Sequence, residues 1–258
     1  MNLFQFAHCA DYDGKIDYLA FLSPEKWSHG RRNDNDILKN YIAHTFMKVY
    51  DEHKVLFLRN CCLFNTGLFT KFYEAIYAVF SLNSVPNRQT WFLDGFYTQF
   101  QLAGLGIDEF PKRADYFDNP EELVFDTNCE IIPQYSHIFN DEENFFRIPR
   151  PVRESPTKTM LFDGAIKRAK HMVDANYRVA VPQYYRNRIQ LLIPICLMDE
   201  NLPDLALVLN KNPAGNQYLG HTCLTLSMAY NNARLIAKLD PGCWLAPGRP
   251  SLKTRSAS

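Results

Sequence analysis

The sequence has no excess charge of either sign: 28 Lys and Arg stand against 28 Asp and Glu in 258 residues. The chain as a whole therefore exerts no long-range pull on nucleic acid or on an anionic membrane, and any such binding needs a local patch. Long apolar runs are missing too. The longest, "LLIPICLM" at 191–198, is far too short to span a bilayer, so no membrane association is expected. No basic leader precedes an apolar stretch at the N-terminus, so no signal peptide is visible. The seven cysteines are an odd number without framework spacing, which fits reduced thiols. The expectation is a cytoplasmic protein.

Signatures of common chemistry are also missing. "FNTGLFTKF" has one glycine and no GxxxxGK[ST], which excludes a P-loop, and the dinucleotide fingerprint is absent. No HExxH or paired CxxC speaks for a metal, and no GxSxG elbow carries a nucleophile. Neither a cofactor nor a metal is expected. His221 and Cys223 lie two residues apart on a strand and would share one side of it, but two ligands make a weak site. Asn65, Thr66 and Gly67 form a turn whose N–H groups would face an anion, although ordinary turn chemistry explains the same residues.

What is present is a large core: 47% of residues are hydrophobic and 14% aromatic. Ile37, Leu38, Tyr41, Ile42, Thr45, Phe46 and Val49 repeat at helical spacing behind a cap at Asn33 or Asp34. From 55 to about 97 the chain favours strands, with "EAIYAVF" ambiguous between strand and helix. Between 104 and 156 it is loop-rich. A second helix is expected with Ser155 as cap, Pro156 in the first turn, and Leu161, Phe162, Ala165, Ile166, Ala169 and Val173 as its apolar stripe. An antiparallel meander follows in four strands joined by short turns, the first of them Arg186-Asn187. Pro182 and Pro194 inside these strands imply edges or bulges. No internal repeat is visible.

The fold class is therefore α+β: antiparallel β-meanders packed with a few amphipathic helices in a single globular domain, 1–247. Sub-halves 1–145 and 156–247 would be joined by a Pro-rich connector, with 248–258 a disordered tail.

Polar residues in unlikely places mark the candidate site. Arg147, Arg150, Arg153 and Lys158 line the connector, and Lys167, Arg168, Lys170 and His171 form the solvent side of the second helix; a solvated face accounts for the latter. Tyr184, Tyr185, Arg186 and Arg188 at a hairpin turn combine aromatic faces with charge, which is how single strands are held. Alternation puts Gln183 on the side of Val179 and Val181, so its amide needs a partner from the protein or from a ligand. In the last helix Asn232 falls in an arc with Met228, Ala229, Leu235 and Ile236. Asn231 falls outside it, beside Arg234. Asn232 either bonds internally, to backbone, Gln183 or Gln190, or faces a ligand.

Taken in order, "FNTGL", "NYRVAVPQYY", "IQLLIPICL", "DLALVL" and "YLGHTCLTLSMAYNNARLIAKLD" resemble one family, domain of unknown function 3825, over roughly 4–245. Its members are mainly bacterial. The resemblance implies no reaction and transfers no catalytic residue; it implies an association with RNA-binding modules. It also implies that relatives carry an acidic residue at the position of Ser227. Three functional expectations result. One is an RNA- or nucleotide-binding domain using Tyr184, Tyr185, Arg186, Arg188, Asn231 and Arg234. Another is an enzyme on a nucleotide or nucleic acid with Gln183, His221, Asn231, Asn232 and Arg234 lining a cleft and His221 as acid or base. The third is a protein-interaction scaffold braced by the same polar groups.

Overall fold

The computed structural model describes residues 1–29, 34–240 and 243–245. The tail at 248–258 and the expected cap at Asn33 lie outside them. The chain falls into two compact units, Met1–Asp115 and Tyr116–Ser258.

The first unit begins with α1 (Leu3–Phe6), β1 (Ala7–His8), α2 (Tyr12–Leu22) and α3 (Asp36–Asp51). The strands β2 (Leu56–Phe57), β3 (Cys61–Phe69), β4 (Ala75–Leu82) and β5 (Trp91–Thr98) follow, then α4 (Gln99–Gly104). All seven residues of the stripe on α3 are buried. Phe46 from this helix meets Phe64 of β3 and Phe80 of β4 at 5.5 and 6.3 Å between ring centres. Asn35, not Asp34, is the N-cap, and it is left-handed; Asp34 Oδ1 accepts from the Asp36 N–H instead. "EAIYAVF" resolves as strand β4, because its Ile, Tyr, Val and Phe pair between two neighbours. The Asn65–Gly67 segment is an irregularity inside β3, not a turn open to an anion. Asn65 Oδ1 takes the Gly67 N–H at 2.9 Å, and Thr66 Oγ1 takes that of Leu68 at 3.2 Å.

The second unit opens with β6 (Glu130–Pro133), α5 (Tyr135–Asn140), α6 (Glu142–Arg147), α7 (Arg150–Arg153) and α8 (Lys158–Ala175). It continues with β7 (Val181–Tyr185), β8 (Arg188–Ile195), β9 (Leu205–Lys211), β10 (Gln217–Leu224) and α9 (Leu226–Arg234). The proline-rich stretch is inside this unit, where it forms α6 and α7. The helix α8 begins at Lys158, later than the Ser155-Pro156 start, since Ser155 Oγ instead takes the Thr157 N–H in a local turn. Phe162, Ala165, Ile166, Ala169 and Val173 pack on Leu191, Ile193 and Ile195 of β8, whereas Leu161 is exposed. The meander β7–β10 is antiparallel throughout. Arg186 and Asn187 both have positive φ, 48° and 61°, the conformation a two-residue hairpin turn demands. Pro182 lies on the edge strand, and Pro194 lies beyond the last β7–β8 pair, Val181–Leu192, so neither breaks a ladder.

Neither parallel edge strand was foreseen. The sheets run β1-β5-β4-β3-β2 and β6-β10-β9-β8-β7. In each, four consecutive strands form an antiparallel meander, and the opening strand of the unit joins the closing strand in parallel. The agreement extends to register. Gly95 pairs with Val79 and Leu93 with Phe80, leaving Asp94 as a bulge; Thr222 pairs with Val208 and Gly220 with Leu209, leaving His221 as a bulge. Four residues beyond each bulge a threonine, Thr98 or Thr225, caps the next helix. The longest helix of each unit covers the equivalent strand, α3 on β3 and α8 on β8. The architecture therefore recurs although the sequence shows no repeat.

Candidate functional site

The shared register identifies one row of side chains in each sheet. In the first unit it reads Leu58, Cys61, Ser81, Asp94; in the second, Gln183, Gln190, Asn210, His221. The rows face away from α3 and α8, toward the helix that follows the meander. In the second unit the same face carries buried Leu192 and Val208 and is covered by Ala229, Tyr230 and Ala233 of α9. A polar row across such a face is costly unless every member is paired.

Its members are paired with one another. Asn232 Nδ2 on α9 donates to Gln183 Oε1 at 3.2 Å, and Gln183 Nε2 donates to Gln190 Oε1 at 2.7 Å. Gln190 Nε2 donates to Asn210 Oδ1 at 2.7 Å, and Asn210 Nδ2 lies 3.2 Å from His221 Nε2. Each amide accepts on its oxygen and donates from its nitrogen, so the chain has one direction. In this orientation Asn210 offers an N–H to the ring, the arrangement in which His221 Nε2 accepts and the ring proton is carried on Nδ1. Burial, with His137 beside it at 6.1 Å between ring centres, holds the His221 pKa below the ordinary histidine value. The backbone of the bulge is anchored as well: Asn144 of α6 donates to the His221 carbonyl at 3.3 Å and accepts from the Cys223 N–H at 3.1 Å.

The expected positions fare differently. Gln183 is 1% exposed and commits its amide inside the protein. Asn232 ties α9 to the sheet through Gln183, the internal bond named as one of its two options. The buried face of α9 is Ala229, Tyr230, Ala233 and Arg234, while Met228 is exposed; the helical phase is thus turned from the arc read in the sequence. Arg234 is consequently buried and Asn231 half-buried, and both interact with other groups of the protein. Ser227 is exposed, with its hydroxyl 3.2 Å from that of Thr225. The bulge separates His221 from Cys223. The imidazole turns to Asn210, whereas the thiol enters the core under α8, where burial pushes its pKa up to about 12. Among the described residues no three His, Cys, Asp or Glu side chains converge as metal ligands.

Asn210 and His137 were missed. Asn210 ends the run "DLALVLN", where an asparagine reads as turn punctuation. His137 lies in a segment read as loop that forms α5.

The aromatic and basic tip of the β7–β8 hairpin is built as the sequence suggested. Tyr185 is 40% exposed, with the Arg186 guanidinium 5.3 Å from its ring centre, and Arg188 pairs across from it. No acidic partner meets Arg186 or Arg188 among the described residues. Tyr184 packs edge-on against Tyr116 at 4.8 Å. The other basic clusters are largely engaged. Arg147 and Arg150 pair with Glu143 and Glu154, Arg168 and Lys170 with Glu200 and Asp174. Arg153 and Lys158 lie over the rings of Phe146 and Phe139 at 5.0 and 5.1 Å. In the first unit Asp94 takes a bond from Ser81 Oγ at 2.8 Å, and burial raises its carboxyl above the usual range. It lines a pocket of about 280 Å³ with Asp11, Lys15 and Tyr18.

Fold and site define an α+β protein of two mixed sheets, one of which carries a directional row of amides in an otherwise apolar face. The chain belongs to the family described as domain of unknown function (DUF3825), whose model matches residues 19–244. No curated protein and no solved structure matches it. No helix among the described residues is long and apolar enough to cross a membrane.

Proposed function

We propose that the protein binds single-stranded RNA, or a nucleotide as its minimal ligand, at the tip of the β7–β8 hairpin in the cytoplasm. One observation carries the reading: an exposed tyrosine with an arginine over its ring and a second arginine across the strand pair, neither arginine held by an acid. A base stacked on Tyr185 would meet a π-face, and Arg186 and Arg188 would meet the adjoining phosphates. The tight turn fixes the backbone that presents the three side chains, so binding has side chains but not backbone to order. Seven free thiols suit the reducing setting.

Fluorescence anisotropy with a labelled oligouridine at low salt tests this. Removing a base stack costs about 1–3 kcal/mol, so Tyr185→Ala should weaken binding by about five- to 150-fold. Arg188→Ala should lower the slope of log affinity against log salt by about 0.7 if it meets one phosphate of a single strand. Absence of binding at low salt, or binding that both variants leave unchanged, overturns the proposal. The enzyme reading is the less favoured, because Asn232 on α9 and Gln183 and His221 in the sheet bond through Gln190 and Asn210 to one another.

A further inference from the structure

Buried amides are not required by this fold. The first unit builds the same sheet with Leu58 and Cys61 where the second has Gln183 and Gln190, and its row contains a single side-chain bond, Ser81 to Asp94. The second unit instead runs an unbroken line from α9 to β10 across three inter-strand gaps, about 14 Å at ~4.8 Å each.

Such a line has two polarities. In the one observed, every nitrogen points toward His221 and the histidine accepts. Rotating the four amides by half a turn reverses every donor and acceptor. Asn232 then accepts from Gln183, Asn210 presents its oxygen to His221, and the imidazole must donate from Nε2. Four bonds exist in either arrangement, so reversal sacrifices none of them. An intermediate arrangement does sacrifice bonds, because a single rotated amide sets two nitrogens or two oxygens face to face. The row therefore switches as a whole.

We propose that His221 and Asn232 are the two ends of one reversible hydrogen-bond chain, so that a proton gained at His221 is felt on α9 and the donor presented by α9 sets the tautomer of His221. A protonated His221 carries N–H on both ring nitrogens and is compatible only with the reversed polarity. The other titratable groups around the ring are left unchanged by substitutions in the row. From α5, His137 lies against it; from α6, Arg147 is paired with Glu143; from β9, the neighbouring Lys211 is paired with Asp126. The inference is independent of the RNA-binding reading.

Long-range ¹H–¹⁵N spectra of the ¹⁵N-histidine-labelled full chain report tautomer and titration midpoint directly, with His221→Phe assigning the signal. The wild type should show His221 neutral and protonated on Nδ1 at pH 7.5. Asn232→Asp places an acceptor-only group at the α9 end. It should move the neutral proton to Nε2 and raise the midpoint by about half to one pH unit. Acting directly over ~14 Å, a carboxylate would raise the midpoint by about 0.2 pH unit through water and by about 0.9 through protein at an effective dielectric of ~20, so the tautomer and the interrupted row, not the midpoint alone, identify the relay. In a Gln190→Met background, of similar volume but unable to relay, the effect of Asn232→Asp should fall to that residue. Retention of signal dispersion in Gln190→Met shows that the background is folded; if it is not, Gln190→Glu, which can accept from both neighbours but not donate at neutral pH, serves as the interrupting variant. Finding Nε2–H in the wild type, or the same Asn232→Asp effect with the row intact and interrupted, overturns the proposal.

Discussion

Replacing Gln190 by leucine cuts the amide row at its centre and leaves two groups facing an apolar side chain. Gln183 Nε2 loses its 2.7 Å bond, and Gln183 is buried too deeply for water to replace it. Asn210 Oδ1 loses the other, but Asn210 is half-buried and can be hydrated in part. A buried orphan costs about 1–3 kcal/mol. Counting the first near the top of that range and the second near the bottom gives about 3–4 kcal/mol. Burial of the leucine returns about 1 kcal/mol, for a net loss of roughly 2–3 kcal/mol. The triple variant Gln183→Leu, Gln190→Leu, Asn210→Leu removes the three central partners together, imitates the apolar Leu58 of the first sheet, and leaves only the half-buried ends, Asn232 and His221, to be hydrated in part against the burial of three leucines. It should cost no more than about 1 kcal/mol, well below the sum of its single changes. Urea unfolding of the full chain, with amide exchange over β7–β9 to locate the loss, measures both. The reasoning fails if Gln190→Leu costs less than about 0.5 kcal/mol, or if the triple variant costs as much as the three single changes added.

Other consequences are as direct. Gly220→Ala would set a Cβ 2.9 Å from a Leu207 methyl, so we expect a loss of about 1–3 kcal/mol by urea unfolding, from overpacking beside the His221 bulge. Gly67→Ala meets the Tyr41 hydroxyl at 2.8 Å in a residue with φ of 75°; strain and disturbance of the Tyr41–Thr66 bond should together lower the urea midpoint. Lys211, with the N–H of Asn128, holds the Asp126 carboxyl down to about 2. Its contribution is therefore complete above the unfolded aspartate value near 3.9 and is lost as pH falls toward 2; Asp126→Asn should remove that part of the acid transition, read by circular dichroism. Burial holds His44 and His221 below the ordinary histidine value, so the unfolded chain takes up protons first. Their contribution to stability is present above about pH 6.5 and declines as pH falls through their folded values, which unfolding at pH 7.5 and 5.5 would show.

Much of the frame was legible from period alone. The stripe on α3 is a seven-residue match because its face meets one uniform apolar surface, and the meander was legible because its strands alternate between short turns. The row was partly legible too. Alternation marks Gln183 as an amide in need of a partner, and counting outward from the two-residue turn at Arg186-Asn187 sets it opposite Gln190. The rest depends on non-local information. β1 has only two residues, and β6 is four residues whose partner comes from the far end of the unit, so neither shows a periodic signal. The bulge at His221 is a property of the β9–β10 ladder and not of the local sequence; without it, residues 221 and 223 appear to share a side. The phase of α9 was misread because a nine-residue helix has too few turns to average out one exposed methionine and one buried arginine.

The parallel edge strands also govern the order of events during synthesis. Each sheet is closed by the first strand of its unit meeting the last: Ala7 has no ladder partner until Trp91 has been made, nor Glu130 until Gln217. The meander between can zip up from its hairpins as it emerges, while the opening strand waits with its backbone groups unsatisfied. Within the second unit the strand of the sheet made last is thus the one that carries His221, and the amide row is completed only when α9 follows it.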